Sequence, residues 1–278
     1  MEYLMTYGWA ILVIAVVLGV LFQLGVFGGA NLAPRAQAGS CQVQRTAAGI
    51  SLEGMCQGEM PQYVATFGGG SSTDIQVSSP SSFTAQNLTV AVWVYPTTFS
   101  FPCCSRGKVA GNNFGGNNDF YVDINSGAYP EAYVYTTSWH NLPTTGVVLS
   151  TNTWYFVAET YNGFYQSIYF DGAYNNGGAC ACGNLPSPQG TLGIGGGGGD
   201  SPFVGDIANL QLYNTTLSAA EIKALYQEGI GGAPVRPQSI IGWWPLNGGT
   251  NDYSGGNNDG QNNGAGYTSF WTNGYSAP

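Results

Sequence analysis

The run Leu88-Thr89-Val90-Ala91-Val92-Trp93-Val94-Tyr95 constrains this chain more than any other stretch. It is filled with β-branched and aromatic side chains, and it stops at Pro96, which has no N–H to offer a ladder. Further runs of this kind predict strands from Phe120 to Asn125, Ala132 to Thr136, Gly146 to Leu149, Trp154 to Tyr161, Ser167 to Phe170 and Gly190 to Gly195. Between them lie turn residues, as in 111–118, Asn162-Gly163, Asp171-Gly172 and 195–199. Upstream, Tyr63 to Phe67 and Asp74 to Val77 alternate across a Gly/Ser turn and predict a half-buried hairpin. Many short strands with no βαβ alternation predict a mainly β, antiparallel sandwich.

One helix interrupts the pattern. Ser218 stands where an N-cap belongs and Glu221 three residues on where its capping-box partner belongs, with Leu217 placed to staple Ile222. Ile222, Leu225 and Tyr226 form its apolar face, and Gly229 ends it.

Lys and Arg number 6 against 15 Asp and Glu, a net charge of −9, so a nucleic-acid partner is excluded for want of clustered cations. The 43 glycines and a charged fraction of only 8% place the polarity in amides and hydroxyls, as suits an exported β protein rich in turns. Six cysteines in such a chain favour disulfides, since none has zinc-ligand spacing. Cys41 and Cys56 flank a segment centred on Ala48-Gly49 that reads as a hairpin, and they are expected to pair. Cys103 with Cys104 and Cys180 with Cys182 are expected to join neighbouring loops, in a connectivity the sequence leaves open.

The chain opens on an apolar segment from Leu4 to Phe27, with no charge between Glu2 and Arg35. At about 1.5 Å per residue such a helix spans roughly the 30 Å hydrocarbon core of a bilayer. A secretory signal, with Ala36-Gln37-Ala38 as cleavage tripeptide, a plain membrane anchor and an assembly helix are the three readings. The start Met1-Glu2-Tyr3-Leu4-Met5-Thr6-Tyr7-Gly8-Trp9-Ala10 resembles the mature helix of archaeal type IV pilin-like proteins with class III signal peptides. That resemblance implies removal of a short basic leader, which this sequence does not include, and assigns Glu2, Tyr3 and Trp9 to filament assembly and anchoring.

A second resemblance rests on Phe83 to Thr97 (FTAQNLTVAVWVYPT), Thr153 to Gly163 (TWYFVAETYNG), Ser167 to Gly172 (SIYFDG) and Gly205 to Gly229 (GDIANLQLYNTTLSAAEIKALYQEG). Together they are similar to a laminin G-like, concanavalin A-like jelly roll. Ile241 to Asn247 and Asn251 to Gly260 resemble the segment that normally opens such a domain, yet here they follow its closing helix. Circular permutation is preferred to a truncated second repeat. The expected organisation is a hydrophobic helix over 1–28, a linker over 29–40, a disulfide-tied strand pair over 41–61, a laminin G-like sandwich over 62–230 and a completing segment over 231–278.

Glycoside hydrolysis needs two carboxylates about 5 to 9 Å apart. No alternating acidic motif places such a pair on one strand: Glu159 has no acidic neighbour, and Asp119 and Asp123 are four apart. The chain is therefore expected not to be an enzyme. His140, in Ser138-Trp139-His140-Asn141, reads as a locally bonded loop imidazole. Calcium is the one cofactor considered: Asp252, Asn258 and Asp259 cluster in a Gly/Asn loop, with Asp74, Asp119, Asp200 and Asp206 in other loops or strand ends. Asx-turns are the competing reading of those side chains. Tyr133, Tyr135, Trp139 and Asn141, in a neighbourhood shared with Tyr129, combine rings that stack on sugars with an amide for their hydroxyls; strand packing competes here. The sequence thus predicts a cell-surface, pilin-like filament subunit displaying a lectin-type domain for adhesion or glycan binding. Its partners would be the membrane, like subunits and an extracellular glycan or glycoprotein. A membrane-anchored glycan-binding protein that never polymerises and an exported carbohydrate-active enzyme are the alternatives.

Overall fold

The computed structural model describes residues 12–18, 35–36, 41–44, 51–54, 60–70, 73–78, 87–102, 105–112, 120–136, 138–180, 183, 185, 191–196 and 201–278. The chain divides into two compact units, Met1–Pro34 and Arg35–Pro278. In the first, residues 12–18 form a helix, α1, with exposed side chains. The rest of the apolar segment, including Glu2, Tyr3 and Trp9, lies outside the described residues. Among the described residues no helix is long and apolar enough to cross a membrane.

The second unit begins with β1 (Arg35–Ala36), β2 (Cys41–Gln44), β3 (Ser51–Gly54), β4 (Met60–Pro61), β5 (Val64–Gly68), β6 (Asp74–Ser78) and β7 (Leu88–Pro96). It continues through β8 (Arg106–Asn112), β9 (Phe120–Asn125), β10 (Pro130–Tyr135), β11 (Trp139–Pro143), β12 (Tyr155–Tyr161), β13 (Tyr165–Phe170), β14 (Ala173–Ala179), β15 (Thr191–Ile194) and β16 (Val204–Tyr213). Helix α2 (Ala219–Gln227) follows, then β17 (Ile240–Trp244), β18 (Gly260–Asn263) and β19 (Gly266–Thr268). A seven-stranded sheet runs β11-β10-β9-β8-β15-β6-β18, and an eight-stranded sheet runs β14-β13-β12-β7-β16-β5-β19 with β17 also on β16. The main core lies between the sheets, where Phe67, Val92, Val122, Val134, Ile168, Leu192, Leu210 and Trp244 are buried. β2 and β3 form a separate antiparallel pair with Cys41 opposite Gly54.

β16 organises the eight-stranded sheet. Along one side it pairs with β7; along the other its first half pairs with β5 and its second half with β17. The exchange occurs at a bulge where Asn209 adopts φ +50°. The Asn209 side chain donates to Gly232 O at 2.8 Å and accepts from Trp243 Nε1 at 2.8 Å and Gln211 Nε2 at 3.1 Å. A short polar side chain that tolerates the left-handed region is what such a bulge needs. Trp243 and Trp244 have no exposed surface, and β18 and β19 continue this C-terminal stretch into β6 of one sheet and β5 of the other.

Three expectations are corrected. Residues 62–77 do not form a hairpin: β5 and β6 belong to different sheets, each pairing with distant strands instead of with the other. Gly146 to Leu149 is not a strand. Asn175 Oδ1 accepts from Thr145 N and Asn175 Nδ2 donates to Thr145 O, so a side chain takes the place of a ladder there, and Val148 is 77% exposed. His140 lies on β11, opposite Val134, not in a loop. β14 was not legible because Tyr-Asn-Asn-Gly-Gly reads as a turn; it forms as an edge strand on β13.

Candidate functional site

On β9, Phe120, Val122 and Ile124 enter the core, so Tyr121 and Asp123 stand on the outer face of the seven-stranded sheet. The same alternation puts Glu131, Tyr133 and Tyr135 of β10 on that face, with Trp139 and Asn141 of β11 and Arg106 and Lys108 of β8. The register sets Tyr133 opposite Asn141, Tyr135 opposite Trp139, Glu131 opposite Asp123 and Asp123 opposite Lys108. All four residues expected to bind glycan therefore share one patch.

The patch has a buried floor and an exposed rim. Tyr121 and Tyr133 stack with centroids 4.4 Å apart. Trp139 meets Tyr121 edge-on at 5.6 Å, sits 4.7 Å from Tyr135, and remains 50% exposed. Asn141 is exposed beside it. Below, the Glu131 carboxylate accepts from Tyr133 Oη at 2.9 Å, Asn125 Nδ2 at 3.1 Å and Asn141 Nδ2 at 3.3 Å. The Arg106 guanidinium lies 4.9 Å from the Tyr133 centroid and the Lys108 ammonium 4.6 Å from that of Tyr121. Gly111 is opposite Tyr121, and a Cβ there would come within 2.2 Å of Tyr121 Cβ and 2.6 Å of Phe120 O, so only glycine lets β9 approach this closely.

Asp123 has no exposed surface, and among the described residues neither carboxylate oxygen has a hydrogen-bond partner. Arg106 Nη1 lies 3.5 Å from its Oδ2. Burial pushes the Asp123 carboxyl well above the ordinary carboxylate range; Arg106 and Lys108 pull it down, while Glu131 pushes it further up. Burial likewise raises the Tyr133 hydroxyl, which therefore stays protonated as the donor to Glu131. Chemically, the patch offers an exposed indole for a sugar face, a neighbouring amide for hydroxyls, and a rigid polar floor. Sequence reading missed Arg106, Lys108, Tyr121, Asp123 and Glu131, because their meeting depends on the register of three strands.

The proposed calcium ligands are placed differently. Asp252 Oδ1 accepts from Trp243 N and Ser254 N, and Oδ2 from Ser254 Oγ and Asn258 N, at 2.8 to 3.0 Å. Four donors fill the lone-pair directions of one carboxylate. Asp259 Oδ1 accepts from Asp252 N, and Asn258 Nδ2 donates to Ile241 O. Asp74 stands apart on β6, accepting from Gln76 and from Asn263. These side chains tie the loop to itself through Asx-type bonds, as the competing reading expects, and among the described residues there is no group of three or more His, Cys, Asp and Glu that could hold a metal ion. Asp206 lies on β16, and Asp119 and Asp200 lie outside the described residues. Cys180 is buried and disulfide-bonded. The side chains of Cys41, Cys56, Cys103, Cys104 and Cys182 are outside the described residues.

A laminin G-type family model, described as the concanavalin A-like lectin/glucanases superfamily, matches residues 68–223, more than half of the chain. The chain belongs to this superfamily. The fold is shared with a Bacteroides ovatus protein named as a candidate carbohydrate binding protein, at 20% identity and a TM-score of 0.59, over 76% of this chain and 61% of that one. This concanavalin A-like chain thus spans about three fifths of that protein. A heptameric SAP-like pentraxin from Limulus polyphemus aligns at 15% identity and a TM-score of 0.47, over 59% of this chain and 81% of that one. The CBM40 domain of Ruminococcus gnavus IT-sialidase aligns at 16% identity and a TM-score of 0.46, over 60% of this chain and all 100% of that one. No curated protein is matched at a significant level.

Proposed function

We propose that this chain is a glycan-binding protein whose ligand lies on the outer face of the seven-stranded sheet, against Trp139, Tyr135 and Asn141. The observation that carries the reading is the half-exposed Trp139 ring, braced edge-on by Tyr121 beside an exposed amide. An indole so held loses little freedom when a sugar stacks on it. The name of the Bacteroides ovatus protein supports the same reading. Binding without hydrolysis is the activity proposed, because Glu131 is engaged by three side-chain donors and Asp123 is fully buried.

Retention of the full chain on a panel of immobilised polysaccharides, with reducing ends assayed in parallel, tests both parts. Trp139→Ala should weaken retention at least tenfold, about 1.4 kcal/mol, with an unchanged melting temperature. Retention equal to wild type removes Trp139 from the site, and accumulating reducing ends make the protein an exported carbohydrate-active enzyme.

The Glu2-led apolar start supports display at the cell surface in a pilin-like filament, in which a buried Glu2 carboxylate would need a cationic or hydrogen-bonding partner. Electron microscopy of the native surface tests this: single, non-polymerised copies in the membrane reduce the segment to an anchor.

A further inference from the structure

A pocket lies apart from the Trp139 patch. It measures about 380 Å³ and is lined by Gln62 and Tyr63, at the entry to β5, and by Leu246, Asn247, Asn251 and Tyr253 of the β17–β18 connection. Among the described residues no Asp, Glu, Lys or Arg lines it. In the order of the seven-stranded sheet, β18 is five strand intervals from β10, roughly 24 Å at 4.8 Å per interval. The pocket and the Trp139 patch are thus separate places.

Its walls are held before any ligand arrives. Tyr63 N donates to Asn247 Oδ1 at 2.8 Å, joining the two sides. Leu246 at φ +58° and Gly248 at φ +82° turn the chain so that Gly248 lies against the Tyr63 ring, where a Cβ would come within 3.2 Å. Tyr253 N donates to Trp243 O at 2.7 Å, and the Tyr253 ring packs edge-on against buried Trp243. The four hydrogen bonds accepted by Asp252 fix the turn between Asn251 and Tyr253. Such a cavity is near the small end of the range for ligand sites, and the backbone bonds that shape it are in place without a ligand.

We infer that this pocket binds a neutral saccharide unit, as a second site distinct from the Trp139 patch. The Gln62 and Asn251 amides both donate to and accept from hydroxyls, Asn247 Oδ1 being held by Tyr63 N, while two tyrosine rings offer apolar surface to ring C–H groups. An anionic sugar or a phosphate would lose hydration here with no cation to compensate. Two sites on one domain let a long or branched glycan engage both, raising avidity without new contacts.

Calorimetric titration of the full chain with methyl glucoside, methyl galactoside and methyl mannoside, with N-acetylneuraminic acid as the anionic control, tests the assignment. The variants are Gln62→Ala/Asn251→Ala for the pocket and Trp139→Ala for the patch. At least one neutral glycoside should bind the wild type and Trp139→Ala, and should bind the pocket variant at least tenfold more weakly, while the melting temperature stays unchanged. Equal binding by wild type and the pocket variant, binding of the anionic control alone, or no binding overturns the pocket. A pocket variant that loses heat while Trp139→Ala keeps polysaccharide retention overturns the patch and leaves the pocket standing. The opposite pattern overturns the pocket alone.

Discussion

Glu159 sits on β12 with no exposed surface, on the strand face whose neighbours Val157 and Tyr161 enter the core. Gln166 Nε2 donates to Oε1 at 2.8 Å, and among the described residues Oε2 has no hydrogen-bond partner. Burial raises its pKa from 4.5 to about 8, against a smaller downward pull from Gln166. A folded-state pKa above the unfolded value means that the stability contribution is complete below about pH 4.5 and is lost as pH climbs to about 8, by about 1.4 kcal/mol per unit at most. Burial shifts Asp123, Asp171 and Asp206 upward too, so they add to the same slope. Urea unfolding at several pH values between 5 and 8 should show falling stability, and Glu159→Gln should flatten the fall. An unchanged slope in the variant places the titration elsewhere. At this scale, Tyr133, Tyr135, Trp139 and Asn141 were legible as an aromatic-amide neighbourhood close in sequence, although their sharing of one face depends on the β10–β11 register. Asp123 and Glu131 were not, since their adjacency is set by how β9 and β10 align.

Helix α2 was legible almost whole. Ser218 Oγ accepts from Glu221 N, and Glu221 Oε2 accepts from Ser218 N at 2.8 Å, completing the capping box; Arg236 pairs with the same carboxylate. Capping is local, so the residues that make it are all visible in a short window. Ile222 and Leu225 are buried, and Tyr226 stacks on Trp93 at 5.7 Å, which docks the helix on the eight-stranded sheet. Ser218→Ala should cost about 1 kcal/mol and lower the melting temperature by about 2 to 4 °C, measured by calorimetry. No shift means the ion pair with Arg236 and packing hold the helix start without the cap. The hairpin expected over 62–77 failed for the converse reason. Alternation marks β5 and β6 as strands but says nothing of partners, and β16 and β15 each supply a longer-range ladder.

Across the whole molecule, the stretch after α2 belongs to both sheets. β17 lies on β16, β18 on β6 and β19 on β5, while Trp271 Nε1 donates to Pro61 O at 2.9 Å and the Trp271 ring stands perpendicular to that of Trp154 with centroids 6.1 Å apart. Removing residues 233–278 should abolish cooperative unfolding, because β5, β6 and β16 lose ladder partners and the core loses Trp244. Moving the same segment ahead of residue 60 through a flexible linker should restore a single calorimetric transition, as the permuted reading requires. Failure of the rearranged chain to fold while the natural order folds overturns that reading. Sequence by itself determined that this chain is a β sandwich with one capped helix, and which side chains alternate on each strand. Both follow from periods of two and of 3.6 residues, which are local. Only the tertiary structure decided which strands share a sheet, that Asp252 is spent on its own loop, that Asp123 lies buried between Arg106 and Lys108, and that Tyr63 meets Asn247 across a pocket. Those facts depend on register and chain crossing between residues far apart in sequence, which no local pattern records.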